Sequence, residues 1–183
     1  MRHLPNLICL LRIALIWPIV IALERGQDLA ALGLFVAAAV SDGLDGYLAK
    51  RCGWTSDFGR FLDPLADKLL LVVVFVACTW LGLVPWWLTA AVVARDVMIG
   101  LGAATYRLWF GPLHGRPTLP SKVNTAAQLL YVVLVLLAAA SGVPARGVVA
   151  AAALIAFATT VLSGAHYVQT FARRAWAQPE GVR

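Results

Sequence analysis

The feature that most limits what this chain can become is a series of apolar runs, each close to the length of a bilayer crossing. LAALGLFVAAAV, KLLLVVVFVACTW, LLYVVLVLLAAA and VVAAAALIAFATTVL carry almost no charge along their length. A bilayer core needs about 20 apolar residues per helix, and six stretches qualify, at about 6–23, 29–50, 62–83, 86–108, 121–141 and 147–170. A backbone in lipid must satisfy its own hydrogen bonds, which leaves helices as the solution for segments of this length. Of the 183 residues, 61% are hydrophobic and 13% charged, against about 25% charged in a soluble domain. The expected fold is an all-α integral membrane protein, a bundle of six transmembrane helices forming one domain over residues 1–183.

Charge placement gives the expected orientation. Arg2, Lys50, Arg51, Arg60, Lys68, Arg107, Arg116, Lys122, Arg173, Arg174 and Arg183 fall on one side, and only Arg25 and Arg146 on the other. Arg12 and Arg95 lie within spans. The rule that basic residues stay in the cytoplasm puts both termini there. The net charge of +6 is read as topology, because no basic stripe interleaved with aromatics stands outside the apolar runs; nucleic acid is not an expected partner. Cys9, Cys52 and Cys78 have no partner spacing and read as packing residues. The basic, apolar N-terminus has the outline of a signal peptide, but Arg12 interrupts it and no cleavage site follows, so it reads as a retained first helix.

Against this background the acids stand out. Asp42 and Asp45 in SDGLDGYLAK are spaced i,i+3, and Asp63 and Asp67 in FLDPLADKLLL are spaced i,i+4. Each pair therefore shares one helix face. The intervening KRCGWTSDFGRF, with Gly53 and Gly59, lets the chain reverse near the membrane surface. Counting back from Arg51, Asp42 lies roughly 13 Å up its helix. Four carboxylates at such a depth repel one another and need a positive partner. Lys50, Arg51, Arg60 and Lys68 are flexible cations at the rim. An all-oxygen donor set without His or Cys selects a hard divalent ion, Mg²⁺ or Mn²⁺. Mg²⁺ held by carboxylates completes its shell with substrate phosphates, which points to phosphate chemistry at a membrane surface.

The order Asp42, Asp45, Gly46, Ala49, Lys50, Gly59, Asp63, Asp67 resembles the D-x2-D-G-x2-A-R-x8-G-x3-D-x3-D motif of the CDP-alcohol phosphatidyltransferases. Every spacing matches, and Lys50 stands where the family has Arg. Lysine is a point charge and arginine a bidentate fork, so the grip on a nucleotide phosphate changes there. PNLICLLRIALIWP looks like the family's first helix, with Asn6 near the nucleotide and Arg12 interior.

The resemblance implies a six-helix fold with a polar active-site cavity open toward the cytoplasmic side, and a homodimer. It implies two divalent ions on Asp42, Asp45, Asp63 and Asp67, with Asp67 as the base that activates the acceptor hydroxyl. CDP-diacylglycerol would be the donor, its nucleotide near Asn6, Asp42, Asp45, Gly46, Ala49, Lys50, Ser56 and Gly59. The expected location is a bacterial inner membrane, multi-pass.

For the acceptor, RDVMIG and SKVNTAAQL resemble the eukaryote-type cardiolipin synthases within this family, which join CDP-diacylglycerol to phosphatidylglycerol. Glycerol 3-phosphate, the acceptor of the phosphatidylglycerophosphate synthases, is the alternative. Arg95 and Lys122 are the candidate acceptor-binding residues. Arg95 and Asp96 are adjacent and diverge by about 100° on a helix, so each is expected to have a further partner. Ser121 is the expected N-cap of the fifth helix. His166 reads as a packed or interfacial residue and His114 as exposed. Trp17, Trp80, Trp86 and Trp87 read as interfacial aromatics, and Arg173 and Arg174 as anchors to anionic lipid. A transporter or proton conductor also buries acids in membrane helices, but it does not explain glycines at fixed offsets from them. A nonenzymatic assembly partner explains them less well, since burying acids gives no packing benefit.

Overall fold

The computed structural model describes the backbone of residues 4–52, 57–110 and 118–176, and the side chains of 10–41, 68–105 and 118–170. Among the described residues there are helices and no strands. They run α1 Leu4–Glu24, α2 Asp28–Cys52, α3 Asp57–Trp80, α4 Trp86–Phe110, α5 Leu119–Ser141 and α6 Arg146–Trp176. The six apolar runs each become one helix, and α1 continues through Pro18.

Glycines set where the first, third and fifth helices stop. Gly26 (φ +65°) and Gly82 (φ +75°) adopt the left-handed conformation that costs a residue with a Cβ dearly. At the end of α1, Gly26 N donates to Leu23 O and Gln27 N to Ala22 O. The end of α3 repeats the pattern, with Gly82 N to Thr79 O and Leu83 N to Cys78 O. Both are Schellman caps, and they explain why α3 ends at Trp80 rather than at the expected residue 83. Gly142 (φ +72°) closes α5 with a single bond to Ala138 O.

The start of α5 corrects the sequence reading. Thr118, with extended backbone, is the N-cap, and Ser121 lies inside the first turn. Proline is tolerated in a first helical turn because its missing N–H has no partner to lose, so Pro120 does not delay the helix. Ser121 Oγ is free for a tertiary contact.

Helices α1, α2, α5, α6, α4 and α3 form a closed ring in that order, each packed on the next, and α3 also reaches across to α5. The three tight turns share one end. Gly26–Ala30 line a hollow with Ala139 and Ala140. Gly82, Leu83 and Pro85 share a cavity of about 960 Å³ with Gly142, Pro144 and Arg146. Helices joined by such turns run antiparallel. The C-terminal part of α2 and the N-terminal parts of α3 and α5 therefore lie toward the opposite end.

The buried interior changes character along the bundle. Toward the turns it is apolar apart from Thr89, whose hydroxyl pairs with that of Thr79: Leu23, Phe35, Val74, Phe75, Cys78, Leu88 and Leu136 are all nearly or fully buried. Further from the turns, buried polar groups take over, namely Arg12, Arg95, Asn124, Gln128, Thr160 and Ser163. Helix α5 shows the switch on one face, with Asn124 and Gln128 followed by Tyr131, Val132, Val135 and Leu136.

The outer surface is greasy, with Trp17, Leu29, Leu154 and Leu162 all more than 60% exposed. Patches of that kind belong against lipid rather than water. Among the described residues, Trp86–Thr105, Leu119–Ser141 and Arg146–Thr170 are long and apolar enough to cross a bilayer, while Asp28–Ser41 and Lys68–Trp80 are shorter apolar stretches. This is a membrane protein. Trp80 and Trp86 flank the α3–α4 turn and are exposed, as interfacial aromatics should be. Trp87, also at the start of α4 and partly exposed, packs edge-on against Phe157, with ring centroids 5.2 Å apart, whereas Trp17 lies within α1 rather than at its end. Cys78 is fully buried, as expected of a packing residue.

Candidate active site

The acidic motif lies on two helices. Asp42, Asp45, Gly46, Ala49 and Lys50 are in the last part of α2, and Gly59, Asp63 and Asp67 in the first half of α3. Unbroken helical backbone through 42–45 and 63–67 means that each aspartate pair shares a face. Both pairs lie toward the end of the bundle away from the tight turns. Their side chains, like those of Asn6, Gly46, Ala49, Lys50 and Gly59, are outside the described set, as are all of Ser56, His114 and the cavity expected around them. The motif offers carboxylates alone, without His or Cys, on regular helical backbone. That chemistry fits Mg²⁺ or Mn²⁺ and fits no softer metal. Among the described side chains no other cluster of His, Cys, Asp or Glu could hold an ion.

Directly beyond Asp67, the described part of the site begins with a charge network. Lys68 Nζ on α3 donates to Asp96 Oδ1 on α4 at 2.6 Å. Arg95 Nη1 donates to the same oxygen at 2.6 Å. Arg95 Nη2 then reaches two other helices, Ser121 Oγ on α5 at 2.9 Å and Ser163 Oγ on α6 at 2.6 Å. The Arg95 and Asp96 side chains are 3% and 10% exposed, and that of Lys68 is 32% exposed. Arg95 and Asp96 thus bond each other, and each also has the further partner that their divergence on the helix required. Lys68, read from sequence as a loose rim cation, is instead committed to Asp96. The α4 and α6 surfaces meet at Gly164, where an added Cβ would lie in van der Waals contact, 3.4 Å from Met98 Cε and 3.7 Å from Arg95 Cγ.

A second buried network joins α5 to α6. Asn124 Oδ1 accepts from Thr159 Oγ1 at 3.1 Å and from Thr160 Oγ1 at 2.9 Å. Gln128 Nε2 donates to Thr160 Oγ1 at 3.2 Å. Sequence reading quoted SKVNTAAQL but gave no role to Asn124 or Gln128. The signal was there: Ser121, Asn124 and Gln128 follow i, i+3, i+7 spacing, a polar stripe on an otherwise apolar helix.

Of the two candidate acceptor residues, Arg95 is buried with both terminal nitrogens engaged, whereas Lys122 is exposed on the first turn of α5. Beside that turn, a groove of about 520 Å³ runs between α5 and α6, lined by Leu119, Pro120, Val123, Leu162, His166 and neighbours. His166 is exposed at its edge. Arg12 is 2% exposed, interior as expected.

The family model of the CDP-alcohol phosphatidyltransferases matches residues 2–163, which takes in the whole acidic motif and most of the bundle. The chain belongs to the CDP-alcohol phosphatidyltransferase family. Among its relatives is a cardiolipin synthase (CMP-forming) of Rattus norvegicus, 36% identical over 146 residues, covering 70% of this chain and 48% of the rat protein. A probable phosphatidylglycerophosphate synthase of Mycobacterium tuberculosis is 31% identical over 176 residues, 91% of this chain and 80% of the relative. A CDP-diacylglycerol–glycerol-3-phosphate 3-phosphatidyltransferase of Escherichia coli is 34% identical over 138 residues, 70% and 73% of the two chains. The chain spans about half the length of the mammalian cardiolipin synthases it matches. Within the family, relatives thus divide between the two acceptor types read from the sequence.

Proposed function

We propose that this protein transfers the phosphatidyl group of CDP-diacylglycerol to the hydroxyl of phosphatidylglycerol, forming cardiolipin and CMP. The observation that carries the reading is the complete acidic motif, Asp42 to Asp67, on two regular helices at one end of the bundle. Asp67 takes the proton of the acceptor hydroxyl. The freed oxygen attacks the diacylglycerol-bearing phosphorus, the bond from that phosphorus to the bridging oxygen breaks, and CMP leaves with the electron pair. Asp42, Asp45 and Asp63, with Asp67, hold Mg²⁺ or Mn²⁺, which when bound neutralises the diphosphate and the departing CMP. Gly46, Ala49 and Gly59 keep the nucleotide's approach to the backbone open, with Asn6 and Ser56 beside it. Lys50 supplies a point charge to its phosphates. In-line transfer of this kind depends mainly on positioning and electrostatics, which suits a site built on rigid helices.

A lipid acceptor suits the described surroundings. Phosphatidylglycerol brings one phosphodiester charge and two acyl chains, and the groove beside the first turn of α5 is mostly apolar. Glycerol 3-phosphate carries a phosphate monoester and calls for several free donors. Arg95 has both terminal nitrogens bonded to protein side chains. The second reading, glycerol 3-phosphate as acceptor, is favoured by the mycobacterial relative, which aligns with 91% of the chain. In the membrane, we read all six helices as spans, with both termini and the acidic site on the cytoplasmic face of a bacterial inner membrane, and the protein as a homodimer. The test is an acceptor screen: purified protein, CDP-diacylglycerol and Mn²⁺ are offered each alcohol, and products are identified by mass. Cardiolipin from phosphatidylglycerol supports the reading, and phosphatidylglycerophosphate alone moves it to the second.

A further inference from the structure

We propose that Asp96 is a positioning residue for the acidic cluster: by gripping Lys68 it helps set the rotation of α3 and so the position of the helix face that carries Asp63 and Asp67. The proposal rests on the reading that these two aspartates hold the metal ions. Lys68 follows Asp67 directly, and consecutive helical residues are separated by about 100°. Anchoring Lys68 on α4 therefore fixes Asp67 at about 100° from the anchor and Asp63 at about 140°, after one full turn is removed.

An apolar stripe packs the other part of α3, beyond its acidic half. Leu70, Leu71, Val74, Phe75 and Cys78 are buried toward the tight turns, and shape packing of aliphatic side chains tolerates rearrangement. The charge-assisted bond from Lys68 adds a specific partner on α4, one residue from Asp67. The anchor is itself held. The oxygen that accepts from Lys68 at 2.6 Å also accepts from Arg95 at 2.6 Å. Arg95 is tied to Ser121 and Ser163 at 2.9 and 2.6 Å, so α5 and α6 fix α4 and through it α3. One carboxylate stands between two cations. Without its charge, Lys68 and Arg95 repel each other, and the partly exposed Lys68 has a path to solvent.

Charge and position predict opposite results at Lys68, which makes the test decisive. Removing a positive charge beside a cation site should tighten the metal by simple electrostatics, whereas releasing α3 should weaken it. Mn²⁺ binding to the purified full-length chain in detergent is measured by the loss of the free-ion EPR signal, which needs no turnover. Unfolding midpoints in metal-free buffer establish that each variant is folded. Asp96→Asn and Lys68→Met should each weaken Mn²⁺ binding at least tenfold. Asp96→Glu should stay within threefold of the parent, and the Lys68→Met/Asp96→Asn double variant should bind no more weakly than Asp96→Asn. A folded Lys68→Met protein that binds Mn²⁺ as tightly as the parent, or more tightly, overturns the proposal, and so does a folded Asp96→Asn protein with parental affinity. A parent that binds no Mn²⁺ overturns the metal reading of the four aspartates and this inference with it.

Discussion

Asn124 on α5 and Thr160 on α6 meet in the middle of the bundle, with 2.9 Å between the threonine hydroxyl and the amide oxygen. The threonine has one proton and two acceptors, since its own Ala156 O lies 2.7 Å away. Gln128 Nε2 donates to the same hydroxyl oxygen from the next turn of α5, and Thr159 Oγ1 gives Asn124 Oδ1 a second donor. The contact therefore works as a three-residue unit, and between lipid-facing helices it gives α5 and α6 a defined register that aliphatic packing alone would leave loose.

From this unit follows a stability prediction. Asn124→Ala should cost about 1–2 kcal/mol, the range for interhelical hydrogen bonds in membranes. Thr160→Val should cost a similar amount because it strands the Gln128 amide. The double variant should lose less than the sum, with a coupling of about 0.6 kcal/mol. Thermal or denaturant unfolding in detergent measures all three, and strict additivity would show that the residues act separately.

At the α4–α6 contact, a Cβ placed on Gly102 would lie 3.2 Å from Tyr167 Cε1 and 3.3 Å from its hydroxyl. That hydroxyl donates to Ile99 O at 3.2 Å. Alanine gains about 1 kcal/mol over glycine in a helix, which offsets a small shift of the ring, so Gly102→Ala should stay within about 1 kcal/mol of the parent. Gly102→Leu should overpack and cost about 1–3 kcal/mol. Adding Tyr167→Ala should recover part of that loss in the same unfolding assay.

Asp67→Asn should lower turnover at least about 100-fold, the usual scale for removing a general base. Binding of CDP-diacylglycerol, measured by calorimetry with Mn²⁺ present, should stay within an order of magnitude. Turnover near the parental rate would remove Asp67 as the base.

Lys50→Arg restores the residue that the family motif carries. If Lys50 holds a donor phosphate, the bidentate fork should preserve or raise kcat/KM for CDP-diacylglycerol. Complete loss would point to an arrangement that only a lysine satisfies.

The helices were legible because each apolar run is long, continuous and bounded by Gly, Pro or charge. Length and hydrophobicity alone place a span. Boundaries slipped where a local rule competed: the Gly82 cap ends α3 early, and α5 starts at the Thr118 cap rather than at Ser121, with Pro120 sitting comfortably in its first turn. That each aspartate pair shares a helix face was legible for a different reason. Acids at i,i+3 and i,i+4 in an apolar segment are costly, and spacing alone marks a shared face. What the sequence hid was partnership. Lys68 and Asp96 are 28 positions apart and Arg95 and Ser163 are 68 apart; nothing in the local pattern of either member names the other. Only the packing order of the ring, with α3 and α6 on either side of α4, brings them together.

The most direct test of the whole account is CMP release. Purified protein with CDP-diacylglycerol and phosphatidylglycerol should release CMP when Mg²⁺ or Mn²⁺ is added, stop when EDTA removes the ion, and make cardiolipin in equal amount. Release of CMP at the same rate with EDTA present, or none under any metal and acceptor combination, would contradict it.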